Sequence, residues 1–330
     1  MFLGEMMLKH LWRNSSLLII AIFILLASCG VKKDEEAKPV IKIGYLPITH
    51  ATPLFLDVYK QGSDFGDYEV ELVKFGSWPD LMDALNAGRI DGASVLIQLA
   101  MKAKEKGIDL KAVALGHLDG NVIISSKEIE TAADMKGKAI AIPHTYSTHH
   151  LLINELMKKE GLQYDDIDLV EMPPAEMPAA LREDRIAGYV VAEPFGAFAV
   201  HLDVGKVFAF SDTVWPNSYC CVLVLRNDFL KTYPEVANQM IESYVAAGKE
   251  ADEKSEQLYN ALQQFMNVDQ EVLDLSLEWI SFDPLWIEEA EYEKVREKVQ
   301  QLDLMENPPL YKDFVENSFI DRANENDLTP

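Results

Sequence analysis

The sequence predicts an α/β protein of two similar lobes with mostly parallel sheets and a ligand cleft between them, followed by a helical C-terminal segment. Two observations predict this fold class. Strand and helix patterns alternate from residue 40 to about residue 225, which is typical of parallel sheets, and after residue 228 nearly all of the pattern is helical. The composition, 48% apolar and 25% charged, is that of an ordinary globular protein.

The elements follow from periodicity and from end signals. Val40–Tyr45 alternates apolar and polar residues as a strand does, and glycines at 88 and 161 mark helix ends. Strands are expected at 40–45, 68–75, 90–95, in two halves within 111–125, and at 138–142, 168–172, 186–191 and 220–225. Helices are expected at 53–60, 77–87, 98–106, 148–160, 175–182 and 194–201.

An internal sequence repeat predicts that the two lobes share one architecture. Residues 71–98 resemble residues 168–195, and each copy contains a strand, a helix ending in R-I-x-G, and a second strand. The R-I-x-G sequences lie at 89–92 and 185–188. Chance similarity between two generic βαβ units is the alternative. A cleft between two such lobes is a preferred place for a ligand.

The first residues predict export rather than a folded element. Two basic residues precede the apolar run 17–26, which is too short for the roughly 20 residues that span a bilayer. The following L-A-S-C at 26–29 resembles a bacterial lipobox. We therefore expect residues 1–28 to be a lipoprotein signal peptide, Cys29 to be lipidated, and 29–39 to form a charged tether. An ordinary signal peptide with a chance cysteine is the alternative.

The net charge argues against a nucleic-acid-binding protein, and the cysteine content argues against a disulfide framework. The net charge of −24 disfavours nucleic acid, which needs basic patches. With Cys29 assigned to the lipid, only Cys220 and Cys221 remain, and adjacent cysteines rarely pair. We therefore expect no disulfide framework, and we interpret this pair as small buried residues of a strand.

Three helix starts are candidate ligand contacts. Ser77 is placed to cap a helix that begins at Trp78, and Ser147 with Thr148 is placed to cap another. The free N–H groups there suit an anion or a polarised oxygen. Glu193 opens a third helix, where either the helix dipole or a ligand accounts for a carboxylate.

Four of the seven histidines fall in predicted loops or helix starts after strands, where open α/β sheets bind ligands: His50, His117, His144 and His149. A structural role for each one singly and a functional cluster for the set both stay open. If several converge with Glu193 they could bind a metal, but no metal-ligand spacing supports that, and we assign no metal ligand.

Seven short motifs, in order over about residues 40–230, resemble one family: G-Y-L-P-I-T-H-A-T-P-L (44–54), S-W with its helix (77–88), R-I-D-G-A (89–93), H-L-D-G-N (117–121), S-T-H-H-L-L (147–152), P-P-A-E-M (173–177) and E-P-F (193–195). This order resembles the substrate-binding proteins of ABC importers that carry nitrate, bicarbonate, taurine and aliphatic sulfonates. The resemblance implies a type II periplasmic-binding-protein fold. Its first lobe would be 40–126 plus 219–330, with the C-terminal helices packed on it, and its second lobe 127–218.

The resemblance also implies ligand contacts at Trp78, Asn121 and His149. Asn121 replaces the usual Gln of nitrate-type relatives, and Ser218 stands where those relatives place a Lys. A desolvated anion needs compensating charge or several hydrogen bonds, so the missing cation disfavours nitrate itself. His50, Thr148, Glu193 and Trp215 complete the candidate ligand-binding set.

The expected function is capture of a small oxyanion, sulfonate or similar solute for an ABC permease and ATPase. The protein is expected to be a membrane-anchored monomer without a cofactor. One alternative is a binder of a thiamine-pyrimidine-like heterocycle, held by aromatic residues such as Trp78 and Trp215. Another is an enzyme related to thiamine-pyrimidine synthases. The enzyme is disfavoured because the chain shows no set of nucleophile, base and orienting residue. A purely structural lipoprotein is the third class.

Overall fold

The computed structural model describes residues 38–327, and the fold lies in one compact unit that begins at Pro39. The expected signal peptide, Cys29 and all but the last two residues of the expected tether lie outside the described residues. Within the described part, no helix is both long and apolar enough to cross a membrane.

Twelve strands are assigned in the described part of the chain, and their bounds follow in chain order: β1 Val40–Tyr45, β2 Glu69–Lys74, β3 Gly92–Leu96, β4 Leu110–Leu115, β5 Leu118–Asp119, β6 Asn121–Ser125, β7 Ala139–Ile142, β8 Asp168–Glu171, β9 Gly188–Ala192, β10 Lys206–Phe210, β11 Cys221–Arg226 and β12 Ile280–Ser281. The α-helices are α1 Thr52–Gln61, α2 Trp78–Asn86, α3 Ile97–Glu105, α4 Thr148–Lys159, α5 Met177–Arg182, α6 Phe195–His201, α7 Ser211–Val214, α8 Asn227–Thr232, α9 Pro234–Ala251, α10 Glu256–Met266, α11 Gln270–Glu278, α12 Glu289–Gln301, α13 Tyr311–Phe314 and α14 Ser318–Asp327.

Two five-stranded sheets form the frame, and they repeat one strand order. The first sheet has the order β2-β1-β3-β11-β4, and the second has β8-β7-β9-β6-β10. In the first, β1 pairs in parallel with β2 and β3, and β11 pairs antiparallel with β3 and β4. The second sheet pairs in the same way, with β6 as its reversed strand. Four strands of each sheet therefore run in one direction and the fifth runs against them.

The repeated R-I-x-G has a packing reason at its glycine. A Cβ on Gly92 would lie 2.5 Å from the carbonyl oxygen of Val224 in β11. A Cβ on Gly188 would lie 2.6 Å from the carbonyl oxygen of Ile124 in β6. The reversed strand approaches its neighbour so closely at this point in each sheet that only glycine fits.

The C-terminal helices mostly cover the first sheet, as the sequence predicts. Helices α9 and α10 pack against α1, and α9 also packs against α14 and β4. Helix α11 instead packs against α6, which belongs to the second sheet. This segment therefore contacts both lobes.

The structure differs from the sequence-based layout in three places. Strand β6, which a boundary after residue 126 assigns to the first lobe, is hydrogen-bonded within the second sheet. The chain crosses between sheets at 116–120, where glycines at 116 and 120 fit between neighbouring segments. Strand β10 was not predicted, because its residues are only half-buried at the sheet edge.

Candidate functional site

Two helices begin at the residues that sequence patterns indicate. Ser77 Oγ accepts a hydrogen bond from the backbone N–H three residues on, at 3.3 Å, so α2 begins at Trp78. Ser147 Oγ accepts the equivalent bond at 3.2 Å, so α4 begins at Thr148. Trp78 is 2% exposed, and its indole Nε1 has no hydrogen-bond partner among residues 38–327.

Four buried side chains of metal-binding type lie together next to the crossover at 116–120. One ligand atom from each of His50, His117, Cys220 and Cys221 lies within 4.8 Å of all the others. His50 Nδ1 is 3.5 Å from Cys221 Sγ, and the two sulfur atoms are 3.9 Å apart. The His50 and His117 ring centroids are 3.5 Å apart. His50 Nε2 lies 3.0 Å from the Gly120 carbonyl oxygen, which can only accept, so Nε2 carries the proton.

Two buried imidazoles, one in the cluster and one beside it, are neutral and have ring nitrogens without partners. Both ring nitrogens of His117 and of His149 have no hydrogen-bond partner in the described part of the chain. Burial lowers the pKa of both rings to about 4, and the charge of neighbouring His50 adds to this effect. Burial disfavours the ionised thiol of Cys220, but its contacts with Cys221 and His149 outweigh burial and lower its pKa. Burial raises the pKa of Cys221.

Glu193 is a fully buried carboxylate. Its Oε2 accepts hydrogen bonds from the Ala197 N–H at 2.9 Å and the Ser276 hydroxyl at 2.8 Å. Its Oε1 has no partner among the described residues. A Cβ on Gly196 would lie 2.3 Å from Oε1, so glycine makes room for the carboxylate. Burial raises the pKa of Glu193 to about 7, although these hydrogen bonds lower it in part.

Hydrogen bonds join the two lobes around these groups. The Glu193 carbonyl oxygen accepts from the Thr49 N–H at 2.9 Å and from its hydroxyl at 3.2 Å. Gln98 Nε2 donates to Thr148 Oγ1 at 2.6 Å, and that hydroxyl donates to the Tyr219 carbonyl oxygen at 2.5 Å. Every bonded side chain here is buried, so these bonds fix the lobes where His149 and the cluster lie.

Of the other residues that the sequence suggested as ligand contacts, two have buried polar atoms without partners, and two contact neighbouring residues. Asn121 and Ser218 are buried, and their amide and hydroxyl atoms have no partner within residues 38–327. Trp215 is covered by Lys298, whose Nζ lies 4.7 Å from the ring centroid. His144 accepts a hydrogen bond from the Tyr146 N–H and is not part of the cluster.

Sequence reasoning missed part of the site. Cys220 and Cys221 are buried at the start of β11, as expected, but they also face the histidines. Gln98 was not singled out, yet it bridges the lobes. A pair of adjacent cysteines without a disulfide, in a chain expected to be exported, was the available signal for the first two.

Two lobes of one repeated sheet order, with partnerless polar side chains buried around the crossover, define a protein of the periplasmic-binding-protein class. The chain matches the model of the NMT1-like family over residues 34–263, and it belongs to that family.

Comparisons with known proteins agree with this fold. The chain is similar to the ligand-binding component of an ABC-type import system from Staphylococcus aureus with zinc bound, at 46% identity and TM-score 0.82, over 87% of this chain and 99% of that one. It shares the fold of the nitrate-binding protein NrtA from Synechocystis, at 18% identity and TM-score 0.79, over 89% and 90% of the two chains.

Among curated proteins, the chain is 26% identical over 261 residues to the nitrate import ATP-binding protein NrtC of Synechocystis. That match covers 71% of this chain and only 38% of NrtC. The chain thus spans well under half of that relative.

Proposed function

We propose that the protein is the extracytoplasmic solute-binding component of an ABC importer. It captures a small molecule between its lobes and delivers it to a permease and an ATPase. The observation that carries the proposal is a group of buried side chains with polar atoms that lack partners in the described chain, among them Trp78, His117, Asn121, His149 and Ser218. An unpaired buried polar group costs about 1–3 kcal/mol. A bound solute would offset that cost at the atoms that it contacts.

The comparisons support this role. The Staphylococcus aureus relative is a component of an import system, and NrtA of Nostoc, at 26% identity, is a nitrate/nitrite binding protein. The relatives compared are transporter components, which favours binding over catalysis. Lipidation at Cys29 would keep the protein at the membrane beside its permease.

The lack of a buried basic side chain among the described residues limits which solutes the protein can bind. No Lys or Arg is buried within residues 38–327, so a small oxyanion or sulfonate would depend on hydrogen bonds and the N-terminus of α4. A flat heterocycle is less favoured. Lys298 covers Trp215, and the Tyr219 hydroxyl accepts a hydrogen bond from the Glu288 N–H.

A thermal-shift screen of the full chain tests the proposal. The panel holds nitrate, bicarbonate, taurine, aliphatic sulfonates and pyrimidines, with Zn²⁺ added because of the Staphylococcus aureus relative. A ligand at 100 times its dissociation constant stabilises the fold by about 2.7 kcal/mol, which raises the melting temperature visibly. If no member of the panel or of a wider solute library raises it, the proposal fails.

Variants locate the contact. Trp78→Ala and His149→Ala should each weaken binding of the solute found in the screen by about 10- to 100-fold, because each removes a contact from a desolvated pocket. His201→Ala is the matched control, since His201 is partly exposed and lies near Glu271. Wild-type affinity with a lowered melting temperature would assign Trp78 and His149 to the scaffold instead.

Closure is the second readout. We expect the lobes to part in the absence of solute and to close on it by a hinge motion, with these bonds formed in the closed state, so the radius of gyration in solution scattering should fall when the solute binds. An unchanged shape with a tight solute would contradict the hinge but would leave the pocket in place.

A further inference from the structure

We propose that the cleft binds a soft divalent metal ion of the Zn²⁺ class, with His50, His117, Cys220 and Cys221 as its ligands. This inference rests on the proposed function and deepens it, because the ion would be the captured solute.

The distances match a tetrahedral site. With Zn–S of about 2.3 Å, two sulfur ligands of a tetrahedron lie about 3.8 Å apart, and with Zn–N of about 2.05 Å a sulfur and a nitrogen lie about 3.6 Å apart. The two sulfur atoms of the cluster are 3.9 Å apart, and His50 Nδ1 is 3.5 Å from Cys221 Sγ. Two edges of the tetrahedron are therefore already present.

A hydrogen bond to the backbone orients His50 to bind a metal. A ligating histidine commonly donates its other ring N–H to a carbonyl, which fixes its tautomer and orientation. His50 Nε2 donates in this way to the Gly120 carbonyl oxygen at 3.0 Å. Nδ1 is thereby left with its lone pair directed at the cluster. His117 is fully buried, and neither of its nitrogens has a partner in the described chain.

The surrounding charges favour a cation. The described residues contain no buried Lys or Arg. An open cleft of about 310 Å³ next to the crossover is lined by the carboxylates of Asp119, Asp212 and Glu278. Asp119 adjoins Gly120, which holds His50. The acidic wall would attract a divalent ion and repel an oxyanion.

Binding is balanced in charge. Each thiol releases its proton to solvent as its sulfur coordinates, so two thiolates neutralise one M²⁺ ion and no electrons move. Thiolate and imidazole ligands together select Zn²⁺ and similar soft ions over Mg²⁺ or Ca²⁺. His149 lies beside the cluster, close enough to Cys220 and His50 for their charges to shift its pKa.

The test is a metal titration of the full chain, purified in detergent, stripped of metal and kept reduced. Zn²⁺ is titrated by calorimetry, and Co²⁺ serves as the spectroscopic probe. We expect one ion per chain, displacement of Co²⁺ by Zn²⁺, and the intense near-ultraviolet absorption of a Co²⁺–thiolate bond. This spectrum needs no variant, so it tests the ligands even where a substitution unfolds the chain.

Variants then identify the ligands. Loss of a group that hydrogen-bonds a metal ligand lowers metal affinity by roughly 10- to 100-fold, and loss of a ligand itself should lower it further. We therefore expect at least about 100-fold weaker Zn²⁺ binding in each of Cys220→Ser, Cys221→Ser and His117→Ala. His144→Ala and His201→Ala are the matched controls, because each removes an imidazole that is not part of the cluster. Both controls should keep wild-type affinity.

The outcomes separate the two proposals. Absence of Zn²⁺ binding, or binding that the control variants weaken as much as the cluster variants, would overturn the metal site. An oxyanion or sulfonate that binds the metal-free Cys220→Ser variant with wild-type affinity would overturn the claim that the ion is the captured solute, while leaving the proposed function intact. A chain that binds neither metal nor any other solute would refute both.

Discussion

The buried carboxyl group of Glu193 should make the stability of the fold fall as pH rises, and Glu193→Gln should remove that dependence. Burial raises the pKa of this group from 4.5 to about 7. The folded chain therefore holds the proton more tightly than the unfolded chain does. The stabilisation that Glu193 contributes is fully present below about pH 4.5, which is the pKa of the group in the unfolded chain. It is lost as pH rises through about 7, the pKa in the folded chain.

The magnitude follows from the shift. A difference of about 2.5 pKa units corresponds to about 3 kcal/mol at 1.36 kcal/mol per unit. Gln keeps an oxygen to accept from the Ala197 N–H and the Ser276 hydroxyl but never ionises. Relative to wild type, the variant should therefore become about 3 kcal/mol more stable between pH 4.5 and 8.

Denaturant unfolding from pH 4.5 to 8, in buffer with a metal chelator, measures this difference. The difference between variant and wild type is the readout, because other groups contribute equally to both curves. Ser276→Ala is the companion variant. Its hydroxyl lowers the pKa of Glu193, so removing it should move the wild-type transition to higher pH. Parallel profiles for wild type and Glu193→Gln would refute the reasoning.

Three further perturbations test the fold and the anchor. Burial raises the pKa of Asp57 from 3.8 to about 6, so Asp57→Asn should gain about 3 kcal/mol over wild type between pH 3.8 and 6 in the same unfolding assay. Gly188→Ala should destabilise the fold by at least about 1–3 kcal/mol, because its Cβ would meet the Ile124 carbonyl oxygen at 2.6 Å; Gly76→Ala, with open space around it, should be neutral in thermal melting. Cys29→Ser should leave the protein unprocessed or release it from the membrane fraction, and unchanged processing and membrane association on fractionation would exclude lipidation there.

Local signals predicted the parts of the site that depend on local chemistry. The caps at Ser77 and Ser147 lie where serine precedes a helical period, and the structure confirms both. The internal sequence repeat predicted that the lobes share an architecture, and this is confirmed because the two sheets have the same strand order. These features depend on residues a few positions apart.

The cluster of His50, His117, Cys220 and Cys221 could not be predicted in the same way. His50 and Cys221 are 171 residues apart in sequence and meet only because of the sheet order. No spacing rule links them. Adjacent cysteines in an apolar run are more commonly core residues, and the sequence around Cys220 and Cys221 favours that interpretation. The burial expected of them is confirmed, but burial alone does not reveal what they face.

The reversed strand of each sheet explains why the site forms at this edge. Because β11 runs antiparallel to β3 and β4, its amino end pairs with their carboxyl ends, as Cys221 does with Leu96. That end brings the cysteines beside the residues that follow the forward strands, including His117. In the second sheet, β6 begins at Asn121, which pairs with Ala192 next to Glu193. The same strand reversal thus brings two thiols to this end of the first sheet, and an amide beside a carboxyl group to the corresponding end of the second.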